Sequence, residues 1–452
     1  MKTEGNKEDA LQLTSLLCSA ATVAVFSVLS LLLFQTAQAQ TETALYSFCS
    51  VGGANCLDGE TPYGPLVVGA NGTFFAASGS GGSSGSGTVF GLFPEPAGGC
   101  ETGTNTGNGW CEFVLYDFCS VANCLDGNLP LGSVSYLNAH FNRPGNLYGT
   151  TYEGGSHKAG IVFEISSKPI ESGCPAGSNT SGGWCETVLY NFCSFPLGSV
   201  CQDGNNPFGN LVEDSAGNLY GTVKNGVFQL SPNQQGGWDS ELIYVDNFVI
   251  GGLTIDGADN LYGIDVGNLP GLGNVFKISL SPLGTAQNIY TFKATSKNGI
   301  PNGPPAVDGT GNVYGTTFGT TGGGSLPGTV WKLTPVTGKK GVTYTKKVLH
   351  TFTAEKGGLN PGGGILLDST GNIYSTAAYG GDTVCQIGPG CGTVFELVAN
   401  GDTYTYKVLW RFNGTDGAAP YSSPILNSAG DLFGVTSGGG ANNLGTMYEV
   451  TP

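Results

Sequence analysis

Charged side chains make up only 11% of this 452-residue chain, which has 3 histidines and 2 methionines. Acid/base catalysis needs positioned titratable groups, usually more than one, so this scarcity leaves few residues for it. Lys and Arg number 17 against 33 Asp and Glu, a formal net charge of -16. A surface of that sign repels phosphate, so neither nucleic acid nor anionic lipid is an expected partner. Beyond residue 40 no stretch keeps apolar residues at i, i+3, i+4 and i+7, which excludes amphipathic helices from most of the chain. Cys-x-x-Cys knuckles are missing as well, and His140, His157 and His350 stand apart from every Cys pair, which argues against zinc modules.

Glycine is abundant, at 77 residues, and falls in register with apolar and aromatic runs. A line typified by Asp308-Gly-Thr-Gly-Asn-Val-Tyr-Gly-Thr-Thr317, then a Gly-rich loop and Gly328-Thr-Val-Trp-Lys-Leu333, recurs seven times. The copies centre on Phe75, Tyr148, Tyr220, Tyr262, Tyr314, Tyr374 and Phe433. Repetition at this period marks a repeat architecture. Each unit holds four short β-type runs. In the sixth they are 364–367, 373–376, 392–397 and 404–412, with turn signals at Asp368 to Asn372 and Ala399 to Asp402. The expected fold is all-β: a seven-bladed β-propeller with four antiparallel strands per blade. Residues 44–48 match a fourth run, whereas the chain stops after a third run at Tyr448 to Val450. The N-terminal strand is therefore expected to close the ring as the last blade's outer strand.

The chain opens with an apolar run from Leu16 to Phe34, followed by Ala37-Gln38-Ala39. An A-x-A site after such a run reads as a signal peptide over residues 1–39, leaving 40–452 as a single propeller domain. Uncleaved, the run is long enough to anchor the protein in a bilayer. The twelve cysteines after Cys18 fall into local pairs: Cys49/Cys56, Cys100/Cys111, Cys119/Cys124, Cys174/Cys185, Cys193/Cys201 and Cys385/Cys391. An even count at repeated spacings in an exported chain predicts six disulfides. Each would close a short loop, so the expected role of all twelve cysteines is to stiffen loops rather than to build the core.

The repeated Gly-Asn-Leu-Tyr-Gly-Thr-Thr of residues 145–151, the trailing Gly-Gly, and the Gly-Thr-Val-Phe-Glu-Leu of residues 392–397 resemble the exported choice-of-anchor tandem repeats, also called GloVer repeats. The resemblance spans residues 44–452 and implies an extracellular, cell-surface or periplasmic location. It brings no catalytic residues. Members often end in a C-terminal sorting segment, whereas this sequence ends at Pro452 just after its last strand, so anchoring by such a segment is not expected.

Two acidic sets are candidates for function. Asp214, Asp256, Asp308 and Asp368 each precede an Asn by four residues. They read either as calcium loops, calcium being the one cofactor the pattern allows, or as Asx turns needing only a carboxylate and a glycine. Asp58, Asp126, Asp203 and Asp416 each precede a glycine in loops leading to inner strands. They are the candidate ligand-binding residues, expected in exposed turns on a rim suited to polyols or cations. Inner strands carry one charged residue, Glu213, so the site is expected on that face and not inside the channel. Trp110, Trp184, Trp238, Tyr344 and Tyr404 recur six residues before an aromatic of the fourth run. Trp184, Val188, Tyr190 and Phe192 share one strand parity, which predicts one packed face.

The expected function is a monomeric, exported binding or interaction module for an extracellular glycan, other polymer or protein. The alternatives are a polymer-acting enzyme with loop-borne residues, and a structural envelope protein. Intact mass of the exported protein tests the address: the expected mass begins at Gln40, and a membrane-bound chain still starting at Met1 would establish the anchor.

Overall fold

The computed structural model describes residues 40–452 apart from positions 53–54, 101–102, 138–144, 168–172, 176, 182, 199, 247–248, 267–270, 294–298, 320–326, 340, 354–356, 382–384 and 386–388. The expected leader, residues 1–39, and His140 lie outside the described residues.

The described residues form seven antiparallel blades of a β-propeller, each ordered from inner to outer strand, and a small hairpin pairing Pro196–Leu197 with Val200–Cys201. Blade 1 runs Val67–Val68, Phe74–Ser80, Thr88–Pro94 and Trp110–Asp117. Blade 4 runs Val249–Ile255, Asn260–Asp265, Gly271–Ser279 and Gln287–Lys293. Blade 7 runs Ile425–Leu426, Leu432–Thr436 and Thr446–Thr451, and its outermost strand is Thr41–Ser47, paired antiparallel from Thr41 opposite Thr451 to Ser47 opposite Thr446.

The apolar core lies in the seams between neighbouring blades. Seven buried clusters, one per seam, make it up. Leu45, Tyr46 and Phe48 meet Phe74 and Phe90 where blades 7 and 1 touch, and Tyr262 and Phe292 meet Trp331 and Leu333 between blades 4 and 5. Middle strands are thus covered on both faces, which explains why Leu147–Thr151, Leu219–Val223 and Leu432–Thr436 are buried at every position instead of alternating. This double coverage gives the repeat's Tyr-Gly-Thr its glycine. Gly149, Gly221, Gly263 and Gly315 sit opposite Phe163, Phe228, Phe276 and Trp331. A Cβ on Gly263 would come within 2.4 Å of the Phe276 ring, and one on Gly315 within 2.3 Å of Trp331. The glycine lets the aromatic lie flat across the middle strand.

The same absence of Cβ atoms seats the blades at the axis. A Cβ on Gly132 would stand 2.2 Å from the Gly209 carbonyl oxygen, and one on Gly209 2.7 Å from that of Gly251. Inner strands there approach backbone to backbone.

One expectation is corrected. In six blades a β-bulge interrupts the pairing of third and outer strands at the Val-Phe or Val-Trp step, for example between Val162 and Phe163. The extra residue, Leu189 in blade 2, reverses the parity of everything after it. Trp184 and Val188 therefore pack into the seam of blades 1 and 2, whereas Tyr190 and Phe192 pack into that of blades 2 and 3. One outer strand serves two seams.

Gly263→Ala should lower the unfolding free energy by about 2–3 kcal/mol, because the fully buried Phe276 cannot step aside. Gly257→Ala, whose Cβ meets nothing within 4 Å, should stay within about 0.5 kcal/mol. Urea unfolding of both variants checks the contrast.

Candidate functional site

All six expected cysteine pairs are disulfides. The expectation that they serve loops alone, apart from the core, is corrected at three of them. Cys111 is 1% exposed and Cys185 0%, because each stands second in an outer strand, Trp110–Asp117 or Trp184–Asn191, on its inward side. Cys391 is also 0% exposed and packs with Leu409 and Phe412 in the seam of blades 6 and 7. A half-cystine is small and apolar enough to fill a strand position in the core. The bridges 100–111, 174–185 and 385–391 therefore root their loops in buried structure, through Cys111, Cys185 and Cys391.

Cys49–Cys56, Cys119–Cys124 and Cys193–Cys201 close the loops that carry the chain from an outer strand to the next inner strand. Each such loop folds around its aspartate. Asp126 Oδ2 accepts from Tyr116 Oη at 2.9 Å, Ser120 N at 2.9 Å and Ser120 Oγ at 2.8 Å. Asp58 Oδ2 accepts from Tyr46 Oη at 2.5 Å and Ser50 N at 2.7 Å. Asp203 Oδ2 accepts from Tyr190 Oη and Ser194 N, both at 2.8 Å. Asp416 takes Trp410 Nε1 at 3.1 Å and Asn413 N at 2.8 Å.

The expectation that these aspartates occupy exposed turns is corrected. Asp58 is 1% exposed, Asp126 0% and Asp203 4%, and Asp416 is half-buried. Their carboxylates tie each loop to the aromatic of its outer strand, so what a ligand could touch on this rim is the loop they hold. The following glycine is forced by the same packing: Gly127 has φ +98°, and a Cβ there would press on Thr151.

The second acidic set forms Asx turns. Asp308 Oδ1 accepts from the backbone N of Thr310 at 2.9 Å and of Asn312 at 3.0 Å, while Oδ2 accepts from Asn312 Nδ2 at 2.7 Å and Tyr314 Oη at 2.9 Å. Asp214, Asp256 and Asp368 repeat this pattern. In blade 7 the roles are exchanged, with Asn427 Nδ2 donating to Asp431 at 3.0 Å. Burial alone would raise the Asp308 carboxyl, but the donors from Asn312 and Thr310 outweigh it and hold it at about 2. Every neighbour is a donor, the arrangement of a turn and the opposite of a cation's oxygen shell. Among the described residues no three His, Cys, Asp or Glu side chains cluster as a metal site.

One concavity lies on the axis. A cavity of about 730 Å³ descends between the inner strands. Tyr152 and Lys224, which directly follow the second strands Leu147–Thr151 and Leu219–Val223, put its mouth on the side of the stapled loops. Tyr63, Phe208 and Tyr421 line it together with backbone of the axial glycines. The Tyr63 and Tyr421 rings are 6.1 Å apart, and Tyr421 Oη is 2.7 Å from Tyr379 Oη, which fixes its ring. Tyr63 is 44% exposed. Among the described lining residues there is no carboxylate and no imidazole, and Lys224 is the cation. The mouth's aromatics share one repeat position: Tyr63, Phe208 and Tyr421 each follow a proline and stand twelve residues before the central aromatic of their repeat.

The Trp110 register packs, as its repetition suggested: Trp110 lies 5.3 Å from Phe74. His350 stacks on Tyr406 at 3.9 Å, and burial pulls its imidazole down to about 4. Six disulfides suit an oxidising, extracellular or periplasmic environment. No described helix is long and apolar enough to cross a membrane.

Residues 249–452 match the model of the Gloeobacter/Verrucomicrobia repeat. No curated protein matches the chain. Among solved structures it is similar to selenomethionine-substituted virginiamycin B lyase from Staphylococcus aureus, with 13% identity over 91% of this chain and 99% of that one at a TM-score of 0.49. A gluconolactonase from Xanthomonas campestris gives 12%, 59%, 75% and 0.33 for the same quantities, and Trypanosoma rangeli sialidase 8%, 92%, 59% and 0.39. Identities this low carry nothing about activity.

Asp126→Ala should destabilise the fold by about 3 kcal/mol, since it strands the buried Tyr116 hydroxyl and the Ser120 amide. Thermal unfolding measures this.

Proposed function

We propose that this chain, a β-propeller of the Gloeobacter/Verrucomicrobia repeat family, is an exported binding module that takes its ligand at the mouth of the channel, on the face of the stapled loops. The observation that carries this reading is the axial cavity, with an exposed tyrosine at its lip and a second ring fixed beside it. Large concavities with aromatic walls and a few polar groups are the usual form of ligand sites. The mouth is held by disulfides and by buried aspartate hubs, so little loop entropy is lost on binding.

The preferred ligand class is carbohydrate. Tyrosine faces stack on the C–H face of a sugar, and the axial backbone groups offer hydrogen bonds without charge. An extended polymer suits the surroundings, because Leu57, Leu125, Phe195 and Leu197 leave apolar surface exposed on the adjoining loops. Binding without turnover is favoured over the enzyme reading, since the described lining has no acid/base pair.

A screen of the purified domain against extracellular glycans tests both. Saturable binding that weakens about tenfold or more in Tyr63→Ala, with the melting temperature unchanged, is the expected result. Release of product would make it an enzyme, and unchanged affinity in Tyr63→Ala would move the site off the mouth.

A further inference from the structure

Each outer strand places one residue against the loop hub of the preceding blade, four positions before its own hub aromatic. Around the ring this residue is Glu42, Glu112, Glu186, Ser240, Ala286, Lys346 and Tyr406. At four seams this residue is not acidic. Lys346 Nζ lies 4.6 Å from the Phe292 ring centre, Tyr406 stacks on His350, Ala286 packs beside Tyr244, and Ser240 lies beside the Tyr190 hydroxyl.

At three successive seams, however, a glutamate faces an aspartate hub. Between blades 7 and 1 the Tyr46 hydroxyl lies 2.5 Å from Asp58 Oδ2 and 3.5 Å from Glu112 Oε2, so both carboxyls meet at one phenol. Asp58 is 1% and Glu112 2% exposed, and their other oxygens, Oδ1 and Oε1, have no hydrogen-bond partner. Between blades 1 and 2, Asp126 and Glu186 are both fully buried, and Asp126 Oδ1 and Glu186 Oε1 are likewise unpartnered. Between blades 6 and 7, Glu42 faces Asp416 and the buried Tyr448, and its Oε1 is unpartnered. The remaining groups facing these pairs are Thr104, Ser50, Ser120, Asn179, Trp410 and Asn413, all neutral. Among the described residues, none of the six carboxyls forms an ion pair.

Two carboxylates brought together away from water, with no cation beside them, repel each other and lose hydration. At the two fully buried seams one oxygen of each is left without a donor, so the few neutral donors replace that hydration only in part. We propose that the folded ring binds a proton at each of these three seams, held on Glu42, Glu112 and Glu186, so that the blades meet there through neutral carboxyls that ionise and loosen the seams as the medium turns alkaline. Burial, reinforced by the neighbouring aspartate, pushes Glu112 and Glu42 up to about 8; burial and Asp126 do the same for Glu186 against the opposing Asn179 amide. The folded value lies above the ordinary 4.5, so this stability is complete below pH 4.5 and is lost as the pH climbs through about 8. Two other shifted groups act outside the range from pH 6.5 to about 8. His350, held at about 4 by burial, exerts its effect below pH 6.5, and Lys346, lowered to about 8 by burial, exerts its own above that.

Urea unfolding from pH 6.5 to 8 tests this on the wild type and on the Glu112→Gln/Glu186→Gln variant. The expected wild-type loss is about tenfold in the folding equilibrium per pH unit for each glutamate, with two of those factors gone in the variant. Parallel profiles would overturn the proposal. So would calcium restoring the wild type, but not the variant, at pH 8, since the pairs would then be cation sites. Should the variant fail to fold, infrared spectra of the wild type in heavy water decide. A protonated-carboxyl band at neutral pH that disappears by about pH 9 supports bound protons, and its absence at neutral pH refutes them.

Discussion

Blade-to-blade packing is the interaction on which the rest of this molecule depends. A four-stranded blade has two apolar faces and no core of its own, and each face is buried only when a neighbour covers it. That requirement accounts for middle strands buried at every position, for the small residue beneath each third-strand aromatic (glycine in five blades, Ala76 and Ser375 in the others), and for the bare backbone at the axis. It also accounts for the bulge, which lets one outer strand send Trp184 into one seam and Tyr190 into the next.

The rim follows from the same packing. Once the outer-strand aromatic is buried in a seam, its hydroxyl or indole N–H needs an acceptor, and the loop to the next blade supplies an aspartate. That carboxylate also collects the loop's free backbone amides, as Asp126 does for Ser120 and Val121. At three of these loops a disulfide closes the turn just ahead of the aspartate. The stapled face is therefore rigid because the seams are dry, and the mouth of the channel inherits that rigidity. Protonated glutamates would belong to the same system, since a seam that excludes water also withholds hydration from Glu112 and Glu186.

Much of this was legible in the sequence, wherever the information is local. The four runs of the sixth repeat coincide with its strands, the Asx turns at Asp308 and Asp368 need only five adjacent residues, and each disulfide joins cysteines a few residues apart. Legibility failed where partners lie in different blades. An Asp-Gly step two residues beyond a cysteine pair looks like an exposed turn. Nothing near Asp126 in sequence states that Tyr116 and Glu186 enclose it. Spacing paired the cysteines but hid the depth of Cys111, Cys185 and Cys391, which depends on what covers their strands. The parity of Trp184 and Tyr190 misled because a bulge leaves no mark in the alternation of residue types. A usable signal for the buried glutamates did exist: Glu42, Glu112 and Glu186 all stand four residues before a Tyr-x-Phe tyrosine. Tyr63, Phe208 and Tyr421 carried a signal of the same kind, since each follows a proline twelve residues before its repeat's central aromatic.

If the seams make the molecule one unit, no blade can open without exposing its neighbours. Native-state hydrogen exchange of the inner- and middle-strand amides in rising denaturant measures this directly. All seven blades should exchange at one common free energy, equal to that of global unfolding. Release blade by blade, each at its own lower free energy, would contradict it.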